Sequence, residues 1–326
     1  MRKPKNQRYA NFHAGTGRRA LQWAALALAI PFAMPIAGAG HTALAHDLFL
    51  DVTAWDDQTT TLAYADNMDV PLPAAATNIG PGSLLRVDMP GISGICTANF
   101  IWSGTNGKTY LGSAGHCFVP GGYTATHGPG ADYDPAGTTV RVCVADCNFG
   151  GRTSRIIGGT FVTLGPVAYA RHTEGGETVG HDFGLVEVLP NQTALVRPSL
   201  PVWGGPIGST TASLGMVLCH YGNGVGVGEA FPTMARVARG VRTSSDGTHF
   251  LMAAAANEGD SGSAVVACDP NSNGVHGQGA VGILTSSGAE VPKSPTGVGN
   301  FLGTTVAQAI SMATQAGLTI SVAEGT

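Results

Sequence analysis

The stretch Asn257-Glu258-Gly259-Asp260-Ser261-Gly262-Ser263 sets a serine among glycines. A serine hydroxyl is a poor nucleophile unless a neighbouring base removes its proton and N–H donors face the oxyanion that forms. The glycines permit a tight turn in which the amides of Gly259 and Ser261 converge. A plain turn between two strands could produce the same string. A second stretch, Leu111-Gly112-Ser113-Ala114-Gly115-His116-Cys117, ends an apolar run on a histidine beside a cysteine. A base must keep its orientation to a fraction of an ångström, and a bridge next door helps; alone, the histidine reads more simply as a buried one. A third, His181-Asp182-Phe183-Gly184-Leu185-Val186-Glu187-Val188, opens an apolar strand with a carboxylate. Burying that carboxylate is costly unless it is paired. Its job could be to hold an imidazole in one tautomer and stabilise its protonated form, or it could face water.

The elements that must position these residues are strands. Of 326 residues 48 are glycine and only 12% are charged. Short runs rich in Val, Thr and Ile recur between Gly, Pro and Asn clusters, which favours an all-β fold. Strands are expected at 84–89, 97–102, 109–113, 139–145, 155–164, 167–172 and 183–189. The stretch from Pro190 to Pro206 interrupts the pattern. A second set is expected at 215–221, 234–243, 248–254, 263–268, 279–285 and 301–305. Residues 305 to 316 form the one convincing helix, stopping at Gly317. Two sets of about six strands, a linker and a closing helix suggest two small β-barrels. No short repeat period supports a propeller or solenoid.

Residues 1–45 differ from the rest. Arg2, Lys3, Lys5, Arg8, Arg18 and Arg19 precede an apolar run from Ala20 to about Ala39, and Ala43-Leu44-Ala45 offers a cleavage site before His46. This reads as a removable signal peptide rather than a membrane anchor, given Pro31, Pro35 and the Gly-rich end. The surroundings of Arg18-Arg19 fit a twin-arginine signal poorly. Residues 46–83, acidic and Pro/Ala-rich, read as a lead-in or short pro-segment. The chain has 17 basic and 21 acidic residues; six of the basic ones and none of the acidic ones fall in the signal. The remainder is acidic, which argues against nucleic acid as a partner.

Six cysteines, Cys96, Cys117, Cys143, Cys147, Cys219 and Cys268, follow the signal. An even number in an exported chain reads as disulfides, although sequence alone leaves the pairing open. No C-x-x-C or H-E-x-x-H appears among the cysteines and scattered histidines, so no metal site and no cofactor are expected. His46, His127, His172, His181, His249 and His276 read as surface or strand-end residues.

Taken together, the three segments resemble the Ala-His-Cys, Asp-Ile-Ala-Leu and Gly-Asp-Ser-Gly motifs of trypsin/chymotrypsin-fold serine proteases, in that family's His, Asp, Ser order. Ile95-Cys96-Thr97-Ala98-Asn99-Phe100 leading to Gly115-His116-Cys117 looks like the secreted bacterial streptogrisin and α-lytic branch. The resemblance covers roughly residues 84–316. It implies a chymotrypsin-like all-β fold of two six-stranded antiparallel β-barrels with a C-terminal helix. The N-terminal barrel would span 84–190; the C-terminal barrel and helix, 191–326. It implies His116 as general base, Asp182 as its orienter, Ser261 as nucleophile, and an oxyanion hole from Gly259 and Ser261. It implies bridges Cys96–Cys117 and Cys219–Cys268, and Cys143 and Cys147 could close a small loop. Polypeptide substrates, a secreted monomer and no membrane contact after signal removal complete the expectation.

The family's pocket floor, six residues before the nucleophile, matches Ala255, and its wall matches Thr285, Ser286 and Ser287. An apolar floor argues against Lys or Arg specificity. Leu284 stands where acid-specific relatives carry histidine. Cleavage after small or medium uncharged residues is expected. Ser263 replaces a usual glycine, and no cysteine precedes Asn257. An arginine that pairs with the Asp260-like carboxylate in bacterial relatives is replaced by His220, which is expected to take over that pairing. Arg155-Ile156-Ile157-Gly158-Gly159 mimics an activation site, but it lies between the triad members and reads as a strand. An α/β-hydrolase needs the opposite chain order. The remaining alternative is a non-catalytic extracellular protease-like binding or adhesion protein.

Overall fold

The computed structural model describes residues 78–120, 126–128, 131–150, 155–173, 180–224, 235–256, 259–268, 278–287 and 298–325. The expected signal peptide, residues 46–77 of the lead-in, and Asn257 and Glu258 lie outside the described residues.

In β1 (Leu84–Met89), Leu85 and Val87 are buried while Arg86 between them faces water, the period-two pattern of a half-buried strand. This strand lies between β2 (Ile92–Thr97) and β5 (Thr139–Gly150), with β6 (Arg155–Thr163) beyond β5, giving an antiparallel sheet ordered β2-β1-β5-β6. The Arg155 to Gly159 stretch is thus part of a strand. A second sheet contains β3 (Ile101–Gly104), β4 (Thr109–Ser113), β7 (Val167–Thr173), β8 (His181–Val188) and the late strand β15 (Ile320–Val322), in the order β15-β3-β4-β8-β7. Leu85, Val87, Leu111, Phe118, Val142 and Val186 fill the core shared by these two sheets.

The rest of the chain closes on itself. Strands β9 (Val217–Tyr221), β10 (Ala235–Thr243), β11 (His249–Ala255), β12 (Ala264–Ala267), β13 (Ala280–Ser287) and β14 (Val298–Thr305) form a closed barrel ordered β10-β11-β14-β13-β12-β9. Leu218, Phe250, Met252, Val265 and Phe301 pack in one of its clusters. Helix α1 (Val306–Gln315) follows; the Thr305 side chain accepts from Gln308 N (3.1 Å) and satisfies one of its first-turn donors. Ala309, Met312 and Ala313 of α1 join Trp102, Phe183 and Tyr221 in a further core cluster. No helix among the described residues is long and apolar enough to cross a membrane.

The expectation of two closed six-stranded barrels is corrected: one six-stranded barrel closes, and the strands of the first half, joined by β15, form open sheets of four and five strands. The chain changes sheets at two corners. At Ala98–Phe100 it leaves β2 and its pairing with β1, and Asn99 N donates to Gly112 O (2.8 Å) while Gly112 N donates to Phe100 O (3.0 Å). At Leu164–Pro166 it leaves β6 and its pairing with β5: Leu164 N still donates to Val140 O (2.9 Å), but Gly165 N donates to Glu187 O (2.8 Å) on β8. Pro166 has no N–H to continue a ladder. The edge of β3 is occupied by β15, so a strand from the chain's end sits where closure would need a strand of the first half. Sheets joined by bent strands at corners are a general way to enclose a core without full closure.

Candidate active site

Strand β4 delivers His116. It ends at Ser113, and Gly115–Cys117 form a single 3-10 turn closed by Phe118 N donating to Gly115 O (2.8 Å). Gly115 is needed there because any β-carbon would run into the carbonyls of Arg171 and Phe183. Asp182, the second residue of β8, meets the turn at two points. Its Oδ1 accepts from His116 N (2.9 Å) and its Oδ2 lies 2.7 Å from His116 Nδ1. A carboxylate only accepts, so Nδ1 carries the proton and Nε2 becomes the acceptor nitrogen. The Asp182 side chain is 3% exposed and the His116 ring 28%. Burial pushes the Asp182 carboxyl up; the charge and hydrogen bonds of His116, aided by the charge of His172, outweigh it and hold the group below the usual carboxylate range. From the barrel side, Thr304 Oγ1 on β14 donates to Asp182 O (3.0 Å).

The serine turn is anchored against the same place. Thr97 N, at the end of β2, donates to Ser261 O (2.9 Å), and Thr97 Oγ1 donates to Gly259 O (2.8 Å). Asn223 N donates to Thr97 Oγ1 (2.9 Å), and Asn223 Nδ2 reaches Gly82 O (3.0 Å). Gly262 has φ of 91°, and a β-carbon there would strike Ser113 Oγ, Thr97 O and Ala114 N. The turn therefore presses on the end of β4 that leads to His116. Gly262 N donates to Leu284 O (2.7 Å) and Ser263 N to Asp260 O (2.9 Å), which fixes the turn's shape. Ser261 is half-buried, whereas Asp260 is fully buried.

Asp260 Oδ1 accepts from Gly224 N (2.7 Å), and both Gly222 and Gly224 approach the carboxylate so closely that a side chain at either would collide with it. His220, on β9, is buried and its carbonyl accepts from Trp203 Nε1 (3.2 Å). Ala255 ends β11 opposite Val298 of β14, and Thr285, Ser286 and Ser287 lie along β13 on the other side of β14. The candidate floor and wall thus sit on strands that flank one strand. The bridges are Cys96–Cys117, Cys143–Cys147 and Cys219–Cys268. The first joins β2, which holds the Ser261 carbonyl, to the turn that carries His116.

Sequence reasoning set His172 aside, yet the β7–β8 register puts it opposite Asp182. Its ring centroid is 5.5 Å from that of His116. No local motif marks it; only the pairing of two strands does.

The chain matches no protein-family model and no curated protein. Among solved structures it is similar to Thermobifida fusca protease A (19% identity, TM-score 0.41, covering 75% of this chain and 99% of that one). It is also similar to a Nocardiopsis protease (19%, 0.41, 75% and 99%), and to a scabies mite inactivated protease paralogue (14%, 0.43, 74% and 96%). Likeness at this level carries no weight for function. The two open sheets, the closed barrel and the closing helix make the architecture chymotrypsin-like in their own right.

Proposed function

We propose that the protein is a serine endopeptidase with His116 as general base, Asp182 as its orienting carboxylate and Ser261 as nucleophile. The observation that carries this reading is the two-point hold of Asp182 on His116, at 2.7 Å and 2.9 Å, beside a glycine-flanked serine turn. Ser261 Oγ attacks the scissile carbonyl while its proton passes to His116 Nε2. The resulting imidazolium faces the Asp182 carboxylate. The oxyanion is received by the amides of Gly259 and Ser261. The amine leaves with the proton from His116, and water attacks the acyl-Ser261 ester by the same relay. No cofactor enters these steps.

Ala255 forms the pocket floor and Thr285, Ser286 and Ser287 its wall, giving cleavage after small or medium uncharged residues. A peptide-library profile dominated by Arg, Lys or Glu at that position would overturn this preference. Within the clan, Ile95 to Phe100 and Gly115 to Cys117 favour the streptogrisin and α-lytic branch. Three disulfides in the described residues support an oxidising, extracellular or periplasmic location, with residues 1–45 as signal peptide and 46–83 as lead-in. The working unit is a monomer of two halves, 84–190 and 191–326, acting on polypeptides. His220 serves as the partner of Asp260; His220→Ala with unchanged activity and pH profile ends that assignment.

A fluorescent serine-directed phosphonate tests the whole reading. Labelling of the wild type that vanishes in Ser261→Ala, with hydrolysis of a casein substrate lost in parallel, is the expected result. A folded wild type that neither labels nor hydrolyses would instead be a protease-like binding protein.

A further inference from the structure

His172 and Asp182 are directly paired across β7 and β8, so their side chains stand on one face of the sheet. The His172 and His116 rings are inclined at 61° with centroids 5.5 Å apart. One donor atom from each of His116, His172 and Asp182 can be chosen so that all three lie within 4.8 Å of one another. The neighbouring trio Cys96, His116 and Cys117 has no such use, because its two sulfurs form a disulfide and a thiolate is what binds metal.

We propose that His116, His172 and Asp182 form a binding site for a borderline divalent cation of the zinc type, and that the cation switches the catalytic base off. Two imidazoles and one carboxylate are a zinc donor set, with a fourth position left for water. Calcium and magnesium demand oxygen-rich cages and fit poorly. Ligands of a tetrahedral ion stand roughly 3.3 Å apart, so the 2.7 Å contact between His116 Nδ1 and Asp182 Oδ2 must widen by about half an ångström. The partly exposed His116 ring has room for that movement. Asp182, buried and held through Oδ1 by the His116 amide, acts as the fixed ligand. The cation takes the place of the Nδ1 proton, which leaves to solvent. An imidazole bound to a dication resists a second positive charge, and its link to Asp182 is interrupted, so it no longer accepts the serine proton.

Inhibition rests on the protease reading; metal binding does not, and the experiment separates them. Isothermal titration calorimetry with zinc chloride is run on the wild type, His172→Phe, His172→Gln and Ser261→Ala, alongside a peptide-hydrolysis titration. The expected result is one zinc per wild-type chain lost or weakened about 100-fold in both His172 variants and unchanged in Ser261→Ala, with no heat from magnesium or calcium. Hydrolysis by the wild type is then half-inhibited at the calorimetric dissociation constant and restored by EDTA. No zinc heat at about 1 mM, or equal binding by both folded His172 variants, overturns the site. Zinc binding at His172 without any hydrolysis in the absence of metal keeps the site and removes the protease reading instead.

Discussion

Asp182 grips His116 through both a side-chain and a main-chain contact, so its substitution alters how the proposed base is presented rather than whether it is there. Asp182→Asn keeps size and burial but offers an N–H where a carboxylate stood, which favours the wrong tautomer. A fall in kcat of about four orders of magnitude, with a smaller change in KM, is expected from steady-state kinetics; a fall below tenfold would remove Asp182 from the catalytic group. The same carboxylate bears on stability. Asp182 is held low as described above, and Asp88 is held low first by its hydrogen bond from Ser93 and then by Arg86 and Arg141 against opposing burial. Asp246 is brought down to about 2, chiefly by Ser244 and Thr248. Each is more acidic folded than unfolded, so the unfolded chain binds more protons as pH drops below the usual 3.8. Stability is therefore complete above that value and declines toward pH 2. A urea midpoint that is lower at pH 2.5 than at pH 5 is the expected outcome; an equal or higher one contradicts it. At this scale the sequence is most informative where the proposed function is local: His116, Asp182 and Ser261 each sit in a short recognisable string. His172 was illegible because its meaning depends on which residue of another strand it faces.

Strands were legible as a class and less so as partners. Residues 97–102 read as one strand from their residue pattern, yet the chain turns a corner at the buried Ala98, Asn99 and Phe100 and divides into β2 and β3. Half of β2 is exposed, Gly94 included, which hid it, and β15 is only three residues long. Pairing at a distance is what the amino-acid pattern could not supply: β15 reaches back to β3 across more than half of the sequence. That strand is anchored by Ile320, which is buried in the cluster that also holds Trp102. Ile320→Ala should therefore destabilise by about 2–4 kcal/mol in chemical denaturation, with faster hydrogen exchange at the β3 amides. A loss under about 0.5 kcal/mol, the level of an ordinary surface change, would mean that β15 does not hold the edge.

Across the whole molecule, Thr97 ties the open sheets to the serine turn through Ser261 O and Gly259 O, and Thr304 ties the closed barrel to Asp182. The Cys96–Cys117 bridge spans 21 residues and Cys219–Cys268 spans 49. Loop-closure entropy assigns them about 3 and 4 kcal/mol respectively. Paired alanine replacement at 96 and 117 should thus leave more residual stability than replacement at 219 and 268, while reducing activity more; thermal melts and kinetics compare the two. If the 219/268 variant were the less active of the folded pair, the bridge near His116 would have no special tie to the chemistry. Both cysteines of that bridge are almost sealed from solvent, at 6% and 4% exposure. A thiol reagent can reach them only when β2 and the His116 turn part company for an instant. The pace at which dithiothreitol silences the protein then becomes a clock for breathing at this one seam, ticking independently of global unfolding.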